Sequence, residues 1–292
     1  MAEISFIGLG LMGATLAETT IKAGFKTAVW NRTACKAETL AALGALNPPS
    51  AAEAIMASPI TVVCLGSYDA ATALLHSAEC TNAAKDRTII QLTTGSPQLA
   101  RAGKAWADGA GAAYLDGGIL AMPEDIGTAK ARFLLSGDEA GYQKAAPYLR
   151  AMAPTIEYLG SDPAKASAMD LALLSGTFGL IFGLLNGAAI AEASNVSIKS
   201  YVDLARPILT GDLGFIGESA IKCEEDTMED TEAFLSTWAE GLTPMISALK
   251  SAGYSAEIPA FMQATLHRAA EQGYGEQDIA ALIKLLRPPS HR

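Results

Sequence analysis

Three glycines near the amino end have a spacing that can bind phosphate. They form a GxGxxG motif in the segment Gly8-Leu9-Gly10-Leu11-Met12-Gly13. An apolar run that suits a buried strand precedes the motif, and a helical pattern follows it. In this context the first glycine permits a tight turn, the second lets a pyrophosphate approach the backbone, and the third lets the helix pack close to the sheet. A plain glycine turn has the same letters, but the flanking strand and helix favour a dinucleotide site.

The end of the second predicted strand indicates which dinucleotide is bound. Enzymes that use NAD usually carry Asp or Glu there, bonded to the ribose 2′-hydroxyl. This chain has Asn31, Arg32 and Thr33, with Lys36 one turn on, and no carboxylate. Arg32 can stack on the adenine and pair with a 2′-phosphate, so these residues predict NADPH. The alternative is that Arg32 and Lys36 form only the solvated start of a helix.

Two further loops complete the predicted cofactor site. Leu65 and Gly66 follow the third predicted strand, and Thr93 and Thr94 follow the fourth. We assign all four to the cofactor site.

Strand and helix patterns alternate through the first half of the chain. After the first strand, further strands are predicted over Thr27–Trp30, Ile60–Leu65, Thr88–Leu92, Tyr114–Asp116 and Arg132–Ser136. Helices are predicted between them, with Thr33 and Ser50 as N-caps and Pro97 at a helix start. Such alternation implies a parallel sheet with helices on both faces. We therefore expect an α/β domain of the Rossmann type over residues 1–160.

Only helical patterns continue after Gly160. A long helix is predicted over about 163–193, and further helical stretches follow over Ser200–Thr210, Thr231–Ala252, Pro259–Gln272 and Gln277–Leu286. We expect an all-α domain over residues 161–292, joined to the first half without a flexible linker.

The long helix has no charged residue from Leu171 to Ala191, a length that would span a bilayer. Asp170 and Glu192 flank the run, no cluster of Lys or Arg marks one side of it, and its glycines dilute its hydrophobicity. A helix that is apolar on all sides lies either in a membrane or inside a large soluble assembly. The rest of the chain favours the assembly.

Composition argues against several other classes of function. The formal net charge of the 292 residues is −10, which disfavours a nucleic-acid partner. Four cysteines without a CxxC pair indicate a reduced, cytoplasmic protein. The three histidines stand far apart, so no metal site is predicted. The first strand follows the initial Met directly, so no signal peptide is predicted.

Longer blocks carry a family resemblance and run in order over nearly the whole chain. The blocks are Phe6–Gly13, Val29–Thr33, Leu92–Pro97, Tyr114–Ala121 with Pro123, Ile126 and Gly127, then Asp170–Gly176 and Gly273–Gly275. With them the chain resembles the β-hydroxyacid dehydrogenase superfamily and, within it, the imine reductases and reductive aminases. The resemblance implies a Rossmann domain, a long inter-domain helix and an all-α C-terminal dimerisation domain. Two chains would interlock as a homodimer, with the uncharged helix inside it and the active site between one chain's cofactor domain and the partner's helices.

The resemblance points to Asp170 as the catalytic residue. Hydroxyacid dehydrogenases of the superfamily have a lysine near the start of the long helix, whereas imine reductases carry Asp or Tyr there; Lys165 lies about five residues off. Hydride attack on C=N is fast only when the nitrogen is protonated, which suits an acidic side chain. Asp170 can donate that proton, if burial raises its pKa, or pair as a carboxylate with an iminium. Both roles stay open, and a residue that only complements the helix dipole is the alternative.

The resemblance also gives a substrate pocket. Its residues are Thr94, Leu120, Met122, Leu174, Phe178 and Trp238. Thr94 and Phe178 match positions where reductive aminases have Asn and Tyr, so reduction of a preformed imine is expected more than coupling of a free ketone with an amine. Core packing would also explain Leu120, Met122, Phe178 and Trp238.

The predicted function is therefore NADPH-dependent reduction of a small-molecule imine to an amine. One alternative is an aldehyde or keto-acid reductase of the parent superfamily, which the missing lysine disfavours. The other is a non-catalytic NADPH-binding protein.

Overall fold

The computed structural model describes residues 1–210, 222, 225, 227–231 and 233–288; Cys223 lies outside them. The chain divides into two compact units, Met1–Gly176 and Thr177–Arg292. Each unit has its own core.

A seven-stranded sheet forms the centre of the first unit. Its strands are β1 Ile4–Ile7, β2 Thr27–Trp30, β3 Ile60–Val63, β4 Thr88–Gln91, β5 Ala113–Leu120, β6 Arg132–Gly137 and β7 Thr155–Tyr158. They lie in the order β2-β1-β3-β4-β5-β6-β7. Every neighbouring pair is parallel except β5 and β6, which are antiparallel.

The expectation of a parallel sheet is thus wrong at β6. The connection over 121–131 holds only a 3₁₀ turn, Pro123–Asp125. A parallel pairing needs a crossover of a dozen or more residues, usually a helix, whereas a short connection returns the chain antiparallel. The strand β7 was not predicted because its four residues are mostly half-exposed and form no apolar run.

Helices cover both faces of this sheet. They are α1 Leu11–Lys22, α2 Cys35–Ala42, α3 Ala51–Met56, α4 Tyr68–Leu75, α5 Ala78–Ala84, α6 Pro97–Ala110 and α7 Glu139–Met152. Ser50 caps α3 as predicted, and Ser96 caps α6, which begins at Pro97. Thr33 is not the N-cap of α2; Ala34 is, without a side-chain hydrogen bond. The reason is that the Thr33 carbonyl accepts the N–H of Lys36 in a turn before the helix.

The core of the first unit has two layers because the strands are buried on both faces. In β1, Ile4 and Phe6 pack into one cluster with α1 and α7, and Ile7 packs into the other with α3 to α6. Alternate side chains of a strand point to opposite faces, so the central strands are apolar almost throughout.

The helix α8, Ala164–Ala193, begins in the first unit and continues into the second, as predicted over about 163–193. By length and composition it is the one helix among the described residues that could cross a membrane. In this single chain only 6% of its most apolar window is buried. Exposed apolar surface of this extent is typical of an interaction site.

The second unit is helical beyond α8. Its helices are α9 Ile198–Thr210, α10 Leu235–Ser251, α11 Glu257–Ala269 and α12 Leu282–Leu286. A small core of Met228, Leu235, Ala239, Leu266, Ala269 and Ala281 joins α10, α11 and the chain end. The all-α character predicted after residue 160 is confirmed for the described residues.

Candidate active site

The ends of the first unit's strands form one row at a single edge of the sheet. Paired residues in this row are Trp30, Ile7, Val63, Gln91, Asp116 and Ser136. The parallel strands stop at the row, whereas β5 continues beyond it to Leu120. Ligands of open α/β sheets bind outside the carboxyl ends of the strands. The residues predicted to bind cofactor in this unit follow β1 to β4 directly at this edge.

The glycine turn after β1 is required by the space around it. Gly8 has φ +95°, and a Cβ there would lie 2.2 Å from the carbonyl oxygen of Cys64. A Cβ on Gly13 would lie 2.1 Å from the carbonyl oxygen of Gly8. Gly10, the N-cap of α1, has open space where its side chain would be. Gly8 and Gly13 thus let α1 lie close to the sheet, and Gly10 leaves the surface at the N-terminus of α1 free.

Asn31 holds the glycine turn in place. Its Oδ1 accepts the N–H of Leu9 at 3.0 Å, and its Nδ2 donates to the carbonyl of Thr33 at 3.1 Å. The N–H of Gly8 donates to the carbonyl of Trp30 at 3.0 Å. Asn31 therefore ties the loop after β1 to the loop after β2, a role that its sequence position did not indicate.

Two adjoining cavities lie along these loops. One, of about 370 Å³, follows the glycine turn, and the other, of about 360 Å³, lies at the end of β2. They share Asn31, Lys36, Leu65 and Gly66. Together they are lined by all the predicted cofactor residues except Thr93 and Thr94. Trp30, Cys64, Ser67, Ala70 and Leu74 also line them and were not predicted.

The cavity at the end of β2 is positively charged. Arg32 and Lys36 line it, both are exposed, and no Asp or Glu is among its lining residues. Neither cation forms an ion pair with any carboxylate that the structure describes. Two cations without a protein partner suit an anionic group such as a phosphate.

The two threonines after β4 differ in their surroundings. Thr93 is buried, and its hydroxyl accepts the N–H of Leu65 at 2.9 Å. Its own N–H donates to Oε1 of Gln91. Thr93 thus supports the loop after β3 rather than lining a cavity, whereas Thr94 is exposed.

Ser136 on β6 fixes the start of α8. Its hydroxyl donates to the carbonyl of Pro163 and accepts the N–H of Ala166, both at 2.9 Å. The Asp162 carboxylate accepts the N–H of Ala164 at 3.1 Å. Free N–H groups of the first helical turn are thereby satisfied, and α8 is held against the sheet.

This arrangement brings Asp170 against β5. Asp170 is only 4% exposed, and a Cβ on Gly118 would lie 2.6 Å from its Cγ. Gly118 therefore leaves the space that the Asp170 carboxyl occupies. Burial raises the pKa of Asp170. No described side chain donates a hydrogen bond to this carboxyl, and no described cation pairs with it.

A second carboxyl, Asp116, lies next to Asp170 and was not predicted. Its Oδ2 accepts the hydroxyls of Tyr68 at 2.8 Å and Tyr114 at 3.2 Å, and its Oδ1 accepts the hydroxyl of Ser167. Burial raises the pKa of Asp116 to about 6, against the lowering effect of these donors, and the charge of Asp170 raises it further. The only sequence signals were the spacings: Tyr114 and Asp116 share a strand face, and Ser167 and Asp170 share a helix face.

The residues predicted for the substrate pocket belong partly to the first unit and partly to the second. Leu120 is half-buried at the end of β5, Met122 follows it at 64% exposure, and Leu174 is half-buried one turn after Asp170. Phe178 and Trp238 belong to the second unit and are exposed. Their roles stay predictions. Among the described residues, no group of three or more His, Cys, Asp or Glu is arranged to hold a metal ion.

Comparison with known proteins decides the family. Residues 3–160 match the NAD-binding domain of 6-phosphogluconate dehydrogenase, and residues 162–288 match the C-terminal domain of proteins like the NADPH-dependent reductive aminases. An NADPH-dependent reductive aminase of Aspergillus oryzae is 31% identical over 288 residues, which cover 98% of this chain and 97% of the relative. The chain belongs to the reductive aminase and imine reductase family.

Solved structures of family members have the same fold over almost the full length. A reductive aminase from Aspergillus terreus, in complex with NADPH and ethyl levulinate, is 33% identical with a TM-score of 0.90, over 98% of this chain and 100% of that one. An imine reductase from Myxococcus stipitatus, in complex with NADP⁺, is 30% identical with a TM-score of 0.89 over the same shares. The α/β domain, the long helix and the helical C-terminal part of this family member are thereby confirmed.

Proposed function

We propose that this chain is an NADPH-dependent imine reductase in which Asp170 assists hydride transfer to a C=N bond. The observation that carries the proposal is a buried carboxyl without a cation, held against β5 just beyond the row of strand ends. The glycine turn and the two cavities follow the same edge of the same sheet.

The residues along this edge fit NADPH. The open surface at Gly10 and the N-terminus of α1 suit a pyrophosphate. Arg32 and Lys36 suit a 2′-phosphate, and the absence of a carboxylate from the lining of that cavity disfavours NADH. From β1 to β5 the sheet spans three strand spacings, roughly 14 Å, over which an extended dinucleotide can reach from the glycine turn towards Asp170.

When bound, NADPH supplies a hydride from its nicotinamide. Asp170 holds or donates the proton that the imine nitrogen needs before the imine carbon accepts that hydride. Burial favours the protonated carboxyl and so favours donation. If the substrate arrives already charged, the same side chain as a carboxylate would stabilise the iminium.

The chemistry at Asp170 distinguishes imines from carbonyl substrates. Developing negative charge on a carbonyl oxygen calls for a cation or a strong hydrogen-bond donor. Lys165 is exposed, and its positive charge lowers the pKa of Asp162 rather than that of Asp170. An aldehyde or keto-acid reductase would therefore lack its usual cation here. Thr94 and Phe178, which replace Asn and Tyr of reductive aminases, favour preformed imines over coupling of a ketone and an amine.

A second copy of this chain is the proposed cover for α8. Large apolar side chains of α8 are exposed in the single chain: Met169, Leu171, Leu173, Phe178, Leu180, Ile181, Phe182 and Leu185. A patch of this extent is typical of a protein interface. We assign the covering surface to the helical part of an identical partner, and Phe178 and Trp238 to the substrate pocket of the dimer. A cytoplasmic location accords with the free thiols of Cys35, Cys64 and Cys80.

The test is a substrate comparison by loss of NADPH absorbance. The purified chain is assayed with a cyclic imine of the 1-pyrroline type, with glyoxylate and with succinic semialdehyde. We expect turnover with the imine and little with either carbonyl substrate. Faster turnover with the carbonyl substrates would identify a reductase of the parent superfamily. NADPH binding without turnover of any substrate would identify a non-catalytic binding protein.

A further inference from the structure

Two neighbouring contacts hold the start of α8 against β5. The Ser167 hydroxyl on α8 donates to Oδ1 of Asp116 on β5. One helical turn further along, the Asp170 carboxyl occupies the space beside Gly118, where a Cβ would lie 2.6 Å from the Asp170 Cγ. Residues three apart share a face of a helix, and residues two apart share a face of a strand, so both contacts lie on the same faces of α8 and β5. The Ser167 bond therefore contributes to fixing the helical turn that carries Asp170.

Two tyrosines hold the other side of the Asp116 carboxyl. Its Oδ2 accepts the hydroxyls of Tyr68 at 2.8 Å and Tyr114 at 3.2 Å, and these two hydroxyl oxygens are 2.5 Å apart. Asp116 itself is only 1% exposed. Both oxygens of this buried carboxyl thus accept hydrogen bonds, Oδ1 from α8 and Oδ2 from α4 and β5. Hydrogen bonds at both oxygens of a buried carboxyl fix its orientation.

Two glycines leave the space that the tyrosines occupy. A Cβ on Gly95, in the loop after β4, would lie 2.2 Å from the Tyr68 ring. A Cβ on Gly103 of α6 would lie 2.4 Å from the Tyr114 hydroxyl oxygen. A side chain at either position would displace a tyrosine, so the backbone around Asp116 is shaped to admit both of its tyrosine donors.

Tyr68 connects this cluster to the loop that lines the cofactor cavities. It is the first residue of α4 and directly follows Gly66 and Ser67, which line the cavity at the end of β2. The hydrogen bonds from Tyr68 to Asp116 and from α8 to Asp116 therefore join this loop to the turn that carries Asp170. All of these residues belong to the first unit.

We propose that Asp116 is a positioning residue for imine reduction: through Ser167 it fixes the turn of α8 that carries Asp170 relative to the loop after β3. The inference rests on the proposed function of Asp170. Asp116 acts here as an acceptor of hydrogen bonds, whether Asp170 donates a proton or stabilises an iminium. A displacement of a catalytic group by about 1 Å can cost about a hundredfold in rate, so loss of the Ser167 bond should lower kcat.

The test is a double-mutant cycle of Ser167→Ala with Asp170→Asn, in which reduction of a 1-pyrroline-type imine is followed by loss of NADPH absorbance. Ser167→Ala alone should lower kcat by about tenfold, because it misplaces a group that acts in the transition state. The KM of the imine and the Kd of NADPH should stay within about twofold of the wild-type values. In the Asp170→Asn background the same substitution should change kcat by less than about twofold, because the group that it misplaces is gone.

Ser5→Ala is the matched control. The Ser5 hydroxyl on β1 is also buried and donates to the carbonyl of Ala54 at 2.6 Å. Its removal should lower Tm, as in Ser167→Ala, but leave kcat unchanged. An unchanged kcat in a folded Ser167→Ala variant would overturn the proposal. An equal loss of kcat in the wild-type and Asp170→Asn backgrounds would also overturn it, because the bond would then serve only the stability of the fold.

Tyr68→Phe decides the question if Ser167→Ala does not fold. It removes a donor to Asp116 on the side away from α8, so its effect on Asp170 passes through Asp116. We expect a smaller loss of kcat than for Ser167→Ala, and again no further loss in the Asp170→Asn background. An unchanged kcat, or an equal loss in both backgrounds, would overturn the proposal.

Amide hydrogen exchange tests the positioning without turnover. Exchange over residues 164–174 should be faster in Ser167→Ala and Tyr68→Phe than in the wild type and Ser5→Ala, because the first turns of α8 open more easily. Exchange at the wild-type rate in both variants would overturn the proposal. If the wild type reduces no imine but this increase occurs, the positioning of the turn by Asp116 stands and only the proposed function fails.

Discussion

At the scale of single residues, the site depends on charges that lack a protein partner. Arg32 and Lys36 line a cavity without a carboxylate, and Asp170 is buried without a cation. A buried carboxyl without a partner is costly to a folded chain, and cations that line a cavity without a carboxylate are free to pair with an anionic ligand. A phosphate of the dinucleotide would pair with Arg32 and Lys36, and the nitrogen of an imine or iminium would pair with Asp170.

Arg32 should determine the preference for the phosphorylated cofactor. We expect Arg32→Ala to raise the Kd of NADPH by about tenfold or more, the loss of one charge-assisted hydrogen bond, while the Kd of NADH changes little. Fluorescence titration with each cofactor measures both constants. Lys26→Ala, which removes an exposed cation after α1, is the control. An equal loss for NADPH and NADH would exclude a contact between Arg32 and the 2′-phosphate.

Local motifs in the sequence predict the cofactor residues, whereas of the two neighbouring acids the sequence predicts Asp170 but not Asp116. Gly8 and Arg32 lie in loops that directly follow strands and Gly13 lies in the first turn of α1, so a short local motif predicts a role for each of them. The Asp116 carboxylate accepts hydrogen bonds from hydroxyl groups on α4, β5 and α8, which are far apart along the chain. No local feature of the sequence shows that these elements meet. The sequence therefore predicts Asp116 only as a residue of a strand.

At the scale of elements, the position of Asp170 follows from how α8 begins on the sheet. The Ser136 hydroxyl on β6 forms two hydrogen bonds with the start of α8, one as donor and one as acceptor. Gly118 on β5 leaves room for the Asp170 carboxyl one helical turn further along α8. The antiparallel β6 is essential here because it brings Ser136 into the row of strand ends. The sequence predicted a strand at β6 but not its direction, which depends on the short connection before it.

Gly118→Ala should displace Asp170 without affecting cofactor binding. The new methyl group would meet the carboxyl at 2.6 Å, so the side chain must move. Small misplacements of a catalytic group cost up to about a hundredfold in rate, and we expect kcat for imine reduction to fall by about tenfold or more. Gly109→Ala on α6, where the added carbon meets nothing within 4 Å, is the control. Unchanged kcat in a folded Gly118→Ala variant would contradict the placement of Asp170 against β5.

At the scale of the whole molecule, one apolar helix is left largely exposed by its own chain. The composition of α8 predicted that something must cover it, but a single sequence does not say what. The family to which the chain belongs, and the extent of the exposed apolar surface, favour an identical partner over a membrane. On this account the protein should be a stable dimer in aqueous buffer without detergent.

A charge on α8 should separate the dimer. Leu185 is 62% exposed in the single chain, and Leu185→Glu would place a carboxylate in the proposed interface. We expect light scattering to show a dimer for the wild type and mainly monomer for this variant, with a lower Tm. Leu43→Glu, at an exposed leucine after α2, should remain dimeric. A wild-type monomer, or a Leu185→Glu dimer as stable as the wild type, would contradict an interface on this face.

The most direct test of the account is the turnover of a 1-pyrroline-type imine by Asp170→Asn. The variant keeps the shape of the side chain but removes its acid, so we expect kcat to fall by at least about tenfold while the Kd of NADPH stays the same. A folded Asp170→Asn enzyme that reduces the imine as fast as the wild type would contradict it.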